Sequence, residues 1–326
     1  MDIYFEYNYG KLYEKIENGK CEVFNYEDMY GKIEYMFIKR RIPFKYCNED
    51  FFDITTPYGY GGPRVVESIN NKKILLDNFS NAFREYCITN NIVSEFVRFH
   101  PLINNVNDFE EFYEIEFNRK TIGTNLKISS DPIQDEFSKS CRKEIRKALN
   151  NEVTFNVITD VKREDLEQFK EIYFSTMERN QAAEYYYFDD NYFDDCLIGL
   201  HDNILLVEAC FKNKVIAMGL YFQHGKFIHA HLSGTLTEYL NLSPAYVLKY
   251  ALAKWGKENE FDIIHYGGGK TNLPDDKLYR FKKKFGQNTE FDFFIGKKVW
   301  NQNIYSKLCE IVNSSNDSNY FPAYRI

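Results

Sequence analysis

Apolar residues recur at helical spacing in several long segments of the chain. Lys73–Asn90 places Ile74, Leu75, Phe79, Phe83 and Tyr86 on one side. Asp165–Asn180 does the same with Leu166, Phe169, Ile172, Tyr173 and Met177. Ala245–Asn259 does it with Val247, Leu248, Ala251, Leu252 and Trp255, and Pro244 stands where a helix begins. Ser138–Asn151 has only a thin apolar stripe, Ile145 and Ala148, opposite Lys139, Arg142 and Arg146 with Lys143 and Lys147 beside them. A shorter helix is expected near Tyr9–Asn18.

Between these segments lie short apolar or alternating runs that read as strands: Glu34–Phe44, Phe51–Thr55, Ile92–Leu102, Val153–Val157, Lys226–Ser233 and Phe261–Tyr266. Ile204–Cys210 and Lys214–Gln223 form a hairpin turned at Lys212–Asn213. The order strand, loop, helix, strand occurs twice: around the glycine-rich loop Thr56–Pro63, and again around Gly234–Pro244. This predicts an α/β (α+β) chain of two related halves, with no short sequence repeat. The expected boundaries are 1–147, 148–298, and a C-terminal helix and tail, 299–326, with the Ser/Asn-rich stretch Asn313–Asn319 mobile.

Composition changes the picture in several ways. Length, 326 residues, suits two domains. With 26 Tyr and 29 Phe, cores and clefts should be rich in rings. A net charge of −7 excludes a generic nucleic-acid coat but leaves room for local basic sites. The seven cysteines are scattered outside any CxxC or zinc spacing, which predicts reduced thiols, a cytoplasmic location and no metal. MDIYFEYNYG lacks the features of a secretory signal, and no apolar run reaches the ~20 residues of a membrane span.

The stretch Ile263–Gly286 concentrates candidate chemistry. A strand ends in Gly267, Gly268 and Gly269, followed by Lys277, Tyr279, Arg280, Phe281, Lys282, Lys283 and Lys284. Glycines permit close backbone approach, and the cations suit an anionic or carbonyl ligand. A bulge followed by a solvated basic helix is the plainer reading. His229 and His231 alternate on one strand; without a nearby third ligand they do not read as a metal pair. His231 beside Ser233 reads as cleft-lining, and His265 as a core histidine. Arg98 could meet a phosphate or a structural partner, and Arg179 a substrate or its own helix end.

The second half resembles the FemABX-like branch of the GNAT acyltransferase superfamily. The resemblance rests on R-K-E-I-R-K-A (Arg142–Ala148), F-K-E-I-Y-x-x-T-M-x-R (Phe169–Arg179), H-L-S-G (His231–Gly234), S-P (Ser243–Pro244), Y-G-G-G (Tyr266–Gly269) and F-K-x-x-F (Phe281–Phe285). The loop P-Y-G-Y-G-G-P around Tyr58, Tyr60 and Gly61 is similar to members of the same branch. The resemblance implies two GNAT-like domains, each a mixed twisted sheet flanked by helices. It also implies an N-acyltransferase with no tightly bound cofactor. The donor would be an acyl-CoA or an aminoacyl-tRNA, and the acceptor an amine on a small-molecule, nucleotide-linked or cell-wall (peptidoglycan) precursor. A strictly tRNA-dependent bridge enzyme and a non-catalytic binding module are the alternatives.

By that resemblance Phe281 and Lys282 hold the donor end and the developing oxyanion. His231 or Glu178 would serve as base. Arg142, Arg146, Arg280, Tyr192 and the glycine loops would meet the substrates. Three departures stand out. Asn125-Leu126 replaces the family's Asp-Leu. Phe188 or Asp189 stands where an arginine is expected. Leu236–Pro244 lacks the glycines of the usual coenzyme A loop.

Overall fold

A computed structural model describes residues 1–314 and 320–326, so most of the expected mobile stretch, 315–319, lies outside the described residues. The chain forms two compact units. The central unit comprises residues 1–3 and 119–291; the flanking unit comprises 4–118 and 292–326.

The flanking unit begins with α1 (Tyr7–Leu12), β1 (Gly19–Asp28), β2 (Gly31–Arg41), β3 (Phe52–Thr55), β4 (Arg64–Ser68), α2 (Lys72–Thr89), β5 (Ile92–Arg98) and α3 (Val106–Phe109). Helix α1 is shorter than expected because the chain turns after Leu12 and Glu14 is drawn onto the start of β1, accepting from the Cys21 N–H at 2.9 Å. Strands β1 and β2 make a long hairpin, and β3 pairs antiparallel with β2 and parallel with β5. Helix α2 obeys its periodicity. Asn71 caps it, and Leu75, Phe79, Phe83 and Cys87 are buried against Tyr35 and Phe37 of the sheet.

The central unit contains residues 119–125 of β6 (Glu114–Asn125), then α4 (Pro132–Glu136), α5 (Lys139–Asn150), β7 (Thr154–Ile158), α6 (Arg163–Arg179), α7 (Asp190–Gly199), β8 (Ile204–Phe211) and β9 (Lys214–His224). These are followed by β10 (Phe227–Thr235), α8 (Pro244–Glu258), β11 (Ile263–Gly268) and α9 (Lys277–Lys283). Its sheet runs β6-β11-β10-β9-β8-β7. Only β10 and β11 are parallel neighbours in that run, because α8 crosses between them. Lys212 and Asn213 both adopt positive φ at the β8–β9 turn, as a two-residue hairpin loop requires. One core buries Cys141, Ile145 and Ala148 of α5 with Val247, Leu248, Ala251 and Leu252 of α8.

The chain then returns to the flanking unit through residues 292–299 of β12 (Glu290–Val299), which pairs with β5, and α10 (Gln302–Ile311). Tyr305, Leu308, Ala323 and Tyr324 pack there on Ile42, Phe51 and Val93. The division of the chain thus falls at 118/119 and 291/292, where 147/148 and 298/299 were expected. The expected first boundary cuts α5, whose apolar stripe belongs wholly to the central core. A basic helix with so thin an apolar stripe gives little sign in sequence of which core covers it, and here that core is the one that α8 also lines.

Candidate active site

The central sheet opens where β10 and β11 part. Their parallel ladder joins Phe227 to Ile263, Ile228 to Ile264 and His229 to His265, and among the described residues it ends there. Beyond it β10 stays with β9 as far as Thr235, with an irregularity between Ala230 and Leu232. Strand β11 stays with β6 as far as Gly268, with its own between His265 and Gly267. Two strands held by opposite neighbours leave a notch with free backbone edges.

The triple glycine forms one wall. Gly267 has φ of 72°, which an L side chain adopts only under strain. The Gly268 carbonyl accepts from Lys282 Nζ at 2.7 Å. A Cβ on Gly269 would stand 2.5 Å from Asp276 Oδ1. Asp276 is the anchor of the loop. It caps α9 at Tyr279 N–H (2.8 Å) and accepts from Lys270 and Thr271 N–H (both 2.9 Å). Those backbone bonds, the Tyr279 one foremost, lower its pKa to about 2. Arg119 donates to the carbonyls of Gly269 (2.6 Å) and Lys270 (2.9 Å).

Lys282 is half-buried, and desolvation lowers its pKa to about 8; nearby Arg119 pushes the same way while Asp276 opposes. A second lysine, Lys249 of α8, is more deeply buried. Its Nζ lies 3.3 Å from the Tyr221 hydroxyl and over the rings of Tyr221 (4.9 Å) and Tyr266 (5.2 Å). Desolvation, and then the Lys282 charge, lower its pKa to about 7. Gly219 makes room for Tyr221: a Cβ there would lie 2.5 Å from the hydroxyl. The Tyr266 hydroxyl donates to Thr124 Oγ1 (2.7 Å), which donates to the Phe285 carbonyl (2.6 Å).

The other predicted site residues separate into groups. Phe281 packs edge-on against Tyr246 and Phe285, while Arg280 and Arg146 are exposed. Arg142 turns back on its own loop, donating to the carbonyls of Gln134 (2.7 Å) and Phe137. Ser233 is exposed at the notch edge of β10. Tyr192 stacks on Phe188 and its hydroxyl meets His231 Nε2 at 2.6 Å; burial pushes the His231 pKa down to about 3, so this imidazole is neutral and weakly basic. Arg179 donates to Thr235 O (2.7 Å) and Thr237 Oγ1 (3.0 Å), and its neighbour Glu178 is exposed.

In the flanking unit, Arg98 donates to Thr55 Oγ1 (3.1 Å) and Thr56 O (2.9 Å), and Gly61 N–H donates to Arg98 O. Tyr60 is buried between Tyr4 and Phe293, and Tyr58 O accepts from Tyr9 Oη at 2.7 Å. Asn125 pairs with Ile263, at the opposite end of β11 from Gly268, and caps a turn by accepting from Lys127 and Ile128 N–H. Five residues of strand, about 17 Å, keep it from the Lys282 end.

Residues 135–283 match the family model described as an acetyltransferase (GNAT) domain. By this match the segment 135–283, a little under half of the chain, is a GNAT-type acetyltransferase domain. The chain as a whole is similar in fold to the crystal structure of FemX (13% identity, 94% of each chain covered, TM-score 0.71). It is also similar to the C-terminal domain of a putative lysylphosphatidylglycerol synthetase from Agrobacterium fabrum (11% identity, 96% of this chain and 93% of that one, TM-score 0.58). L-PGS from Bacillus licheniformis gives 12% identity, 93% and 95% coverage, and a TM-score of 0.57. None of the curated proteins matches it in sequence. The parted strands and the Gly268–Lys282 contact fall inside the GNAT segment. Lys249, Tyr221 and Arg119 were missed from sequence. The available signal was a lysine flanked on both sides by apolar residues in a helix apolar on nearly every face.

Proposed function

We propose that this acyltransferase forms an amide by moving an acyl or aminoacyl group from an activated carrier to the amine of a sugar-linked, nucleotide-linked or cell-envelope precursor, in the cytoplasm. The observation that carries the reading is the ammonium of Lys282, held on the Gly268 carbonyl where β10 and β11 part. A carbonyl placed in the notch would find backbone edges for orientation and a cation for the oxyanion. Lysine suits this task as a point charge with rotatable donors. GNAT domains take their acyl group from coenzyme A thioesters, so acyl-CoA is the first donor to test.

A second donor, aminoacyl-tRNA, is favoured by a specific arrangement. Lys139, Lys143, Arg146 and Lys147 of α5 and Lys277 and Arg280 of α9 are exposed. Meanwhile the start of α8, where a phosphate would gain from the helix N-terminus, already has a carboxylate: Ser243 Oγ donates to Glu144 at 3.0 Å. Thermal stability with acetyl-CoA, coenzyme A, uncharged tRNA and UDP-sugars at two salt concentrations separates the donors. A ligand at about 100 times its Kd adds about 2.7 kcal/mol. A rise with acetyl-CoA that survives salt assigns the thioester. A rise with tRNA alone, lost in salt, assigns the ester. No rise with any of them sinks the reading and leaves a binding module of another specificity.

A further inference from the structure

Two lysines lie near the place where β10 and β11 part, Lys282 on the Gly268 carbonyl and Lys249 over the ring of Tyr266, and their surroundings divide them. Lys282 donates to a carbonyl at 2.7 Å and has the Asp276 carboxylate in its field. Lys249 has a tyrosine oxygen at 3.3 Å and two ring faces, which solvate an ammonium less well than a carbonyl and an anion do. Among the described residues, the charge that acts on it is the Lys282 ammonium, itself a cation. Strand β9 contributes Tyr221, β11 Tyr266 and α9 Lys282. The core of the same unit holds Leu205 and Val207 of β8, Ala230 of β10, and Cys141 and Ile145 of α5. Glu136 of α4 is occupied by the Asn125 and Asn288 amides and the Thr289 hydroxyl. Two cations in one dry site repel, and the one with poorer partners gives up its proton first.

We propose that Lys249 is the proton acceptor of the acyl-transfer reaction, with Lys282 the cation that stabilises the oxyanion. This rests on the acyltransferase reading of the same notch. Two like groups pushed apart by their environments supply an acid–base division of labour. The acceptor ammonium passes one proton to the Lys249 lone pair, directly or through the Tyr221 hydroxyl. The freed amine attacks the acyl carbonyl and a C–N bond forms, with the oxyanion facing Lys282. On collapse the C–S or C–O bond to the carrier breaks, and the leaving sulfur or oxygen takes the second amine proton. Lys249 then returns its proton to water. The assignment also accounts for a base in a chain whose Asn125 cannot take a proton and whose His231 is too weak.

The test has two readouts on the full chain. The first needs no substrate: the side-chain signals of 13Cε-lysine-labelled protein are followed by NMR against pH, with Lys249→Met and Lys282→Met identifying the two resonances. Lys249 should titrate near pH 7, about one pH unit below Lys282, and Lys282→Met should raise its midpoint. A Lys249 midpoint near 10 overturns the proposal and leaves the acyltransferase reading standing. The second is kcat/KM against pH with whichever carrier stabilises the protein and a panel of small amines. Wild type should show a rising limb near pH 7. Lys249→Met should lose about 10²–10⁴-fold and that limb with it, and Lys249→Arg, which stays charged, should lose as much. An unchanged limb in Lys249→Met overturns the base role alone. No turnover by wild type with any carrier overturns the acyltransferase reading, and the proposal with it, whatever the titration shows.

Discussion

Each unit of the molecule joins a strand to a glycine-rich turn and buries an ionisable group nearby, yet the two differ in how well that ionisable group is hydrogen-bonded. In the flanking unit Asn105 closes the turn: its amide donates to the carbonyls of Gly61 and Pro63, both at 2.9 Å, and its oxygen accepts from His100 N–H. The buried carboxylate of Glu95 accepts from Tyr113 Oη (2.8 Å) and Trp300 Nε1 (3.0 Å). In the central unit the glycine turn is held by Lys282, Arg119 and Asp276, but Lys249 has one hydrogen bond, at 3.3 Å, and two ring faces. A fully satisfied network rigidifies; a thinly satisfied one keeps amines whose protonation a substrate can change. On the reading proposed above, the central turn is the chemical one and the flanking turn is scaffolding.

The largest expected effect uses the opposite pH signs of the two buried groups. Lys249 has a pKa of about 7 in the folded chain, below its ordinary 10.5. Between those values the unfolded chain holds a proton that the folded chain has lost. Stability should therefore rise with pH across that window, by about 5 kcal/mol at most. Urea melts from pH 7 to 10 should show the rise, and Lys249→Met should remove more than half of it, leaving the smaller share of Lys282. An unaltered slope would mean that Lys249 is as well solvated as a surface lysine. Next in size is Lys282→Ala. It should cost about 10²–10³ in kcat, because oxyanion donors act on the transition state. Turnover that persists would remove the contrast between the turns.

How far this contrast could be read from sequence follows from which forces local patterns encode. Helical periodicity located α2, α6 and α8, because one-sided burial leaves a period of 3.6. The resemblance carried Lys282 and the glycines directly. Lys249 was passed over, although the apolar residues on both sides of it were a signal. It sits within the apolar run of α8 and reads there as the solvent face, but α8 is covered by α5 and by several strands, so no solvent face exists at that turn. The division at 118/119 differs from the expected 147/148 for a related reason. It rests on the pairing of β6 with β11 and the packing of α5 with α8, far apart in the chain, which no window of neighbouring residues reports.

The third effect reverses the pH sign in the flanking unit. Burial raises the Glu95 pKa from 4.5 to about 7, against the pull of its hydrogen bonds. Here the folded chain keeps a proton that the unfolded chain has released, so stability is complete below about pH 4.5 and should fall by about 3 kcal/mol on the way to pH 7. Glu95→Gln should flatten that fall, since an amide can accept from Trp300 and donate to Tyr113 without ionising. Melts from pH 4.5 to 7 would decide it, and a slope retained in the variant would place its origin elsewhere.

The smallest effects compare one glycine from each unit. A Cβ at Gly219 would press on the Tyr221 hydroxyl at 2.5 Å, whereas one at Gly61 would meet Thr56 Cγ2 at 3.3 Å. Gly219→Ala should cost about 1–3 kcal/mol as overpacking. Gly61→Ala should cost about 1 kcal/mol or less, because a methyl can yield by a few tenths of an ångström. The pair also distinguishes packing from chemistry. Displacing Tyr221 removes the oxygen nearest Lys249, so Gly219→Ala should move the Lys249 titration in the NMR measurement. Gly61→Ala should leave it where it is. If both alanines shift that titration equally, Lys249 is responding to general loosening of the fold, and the specific role of the Tyr221 contact is lost.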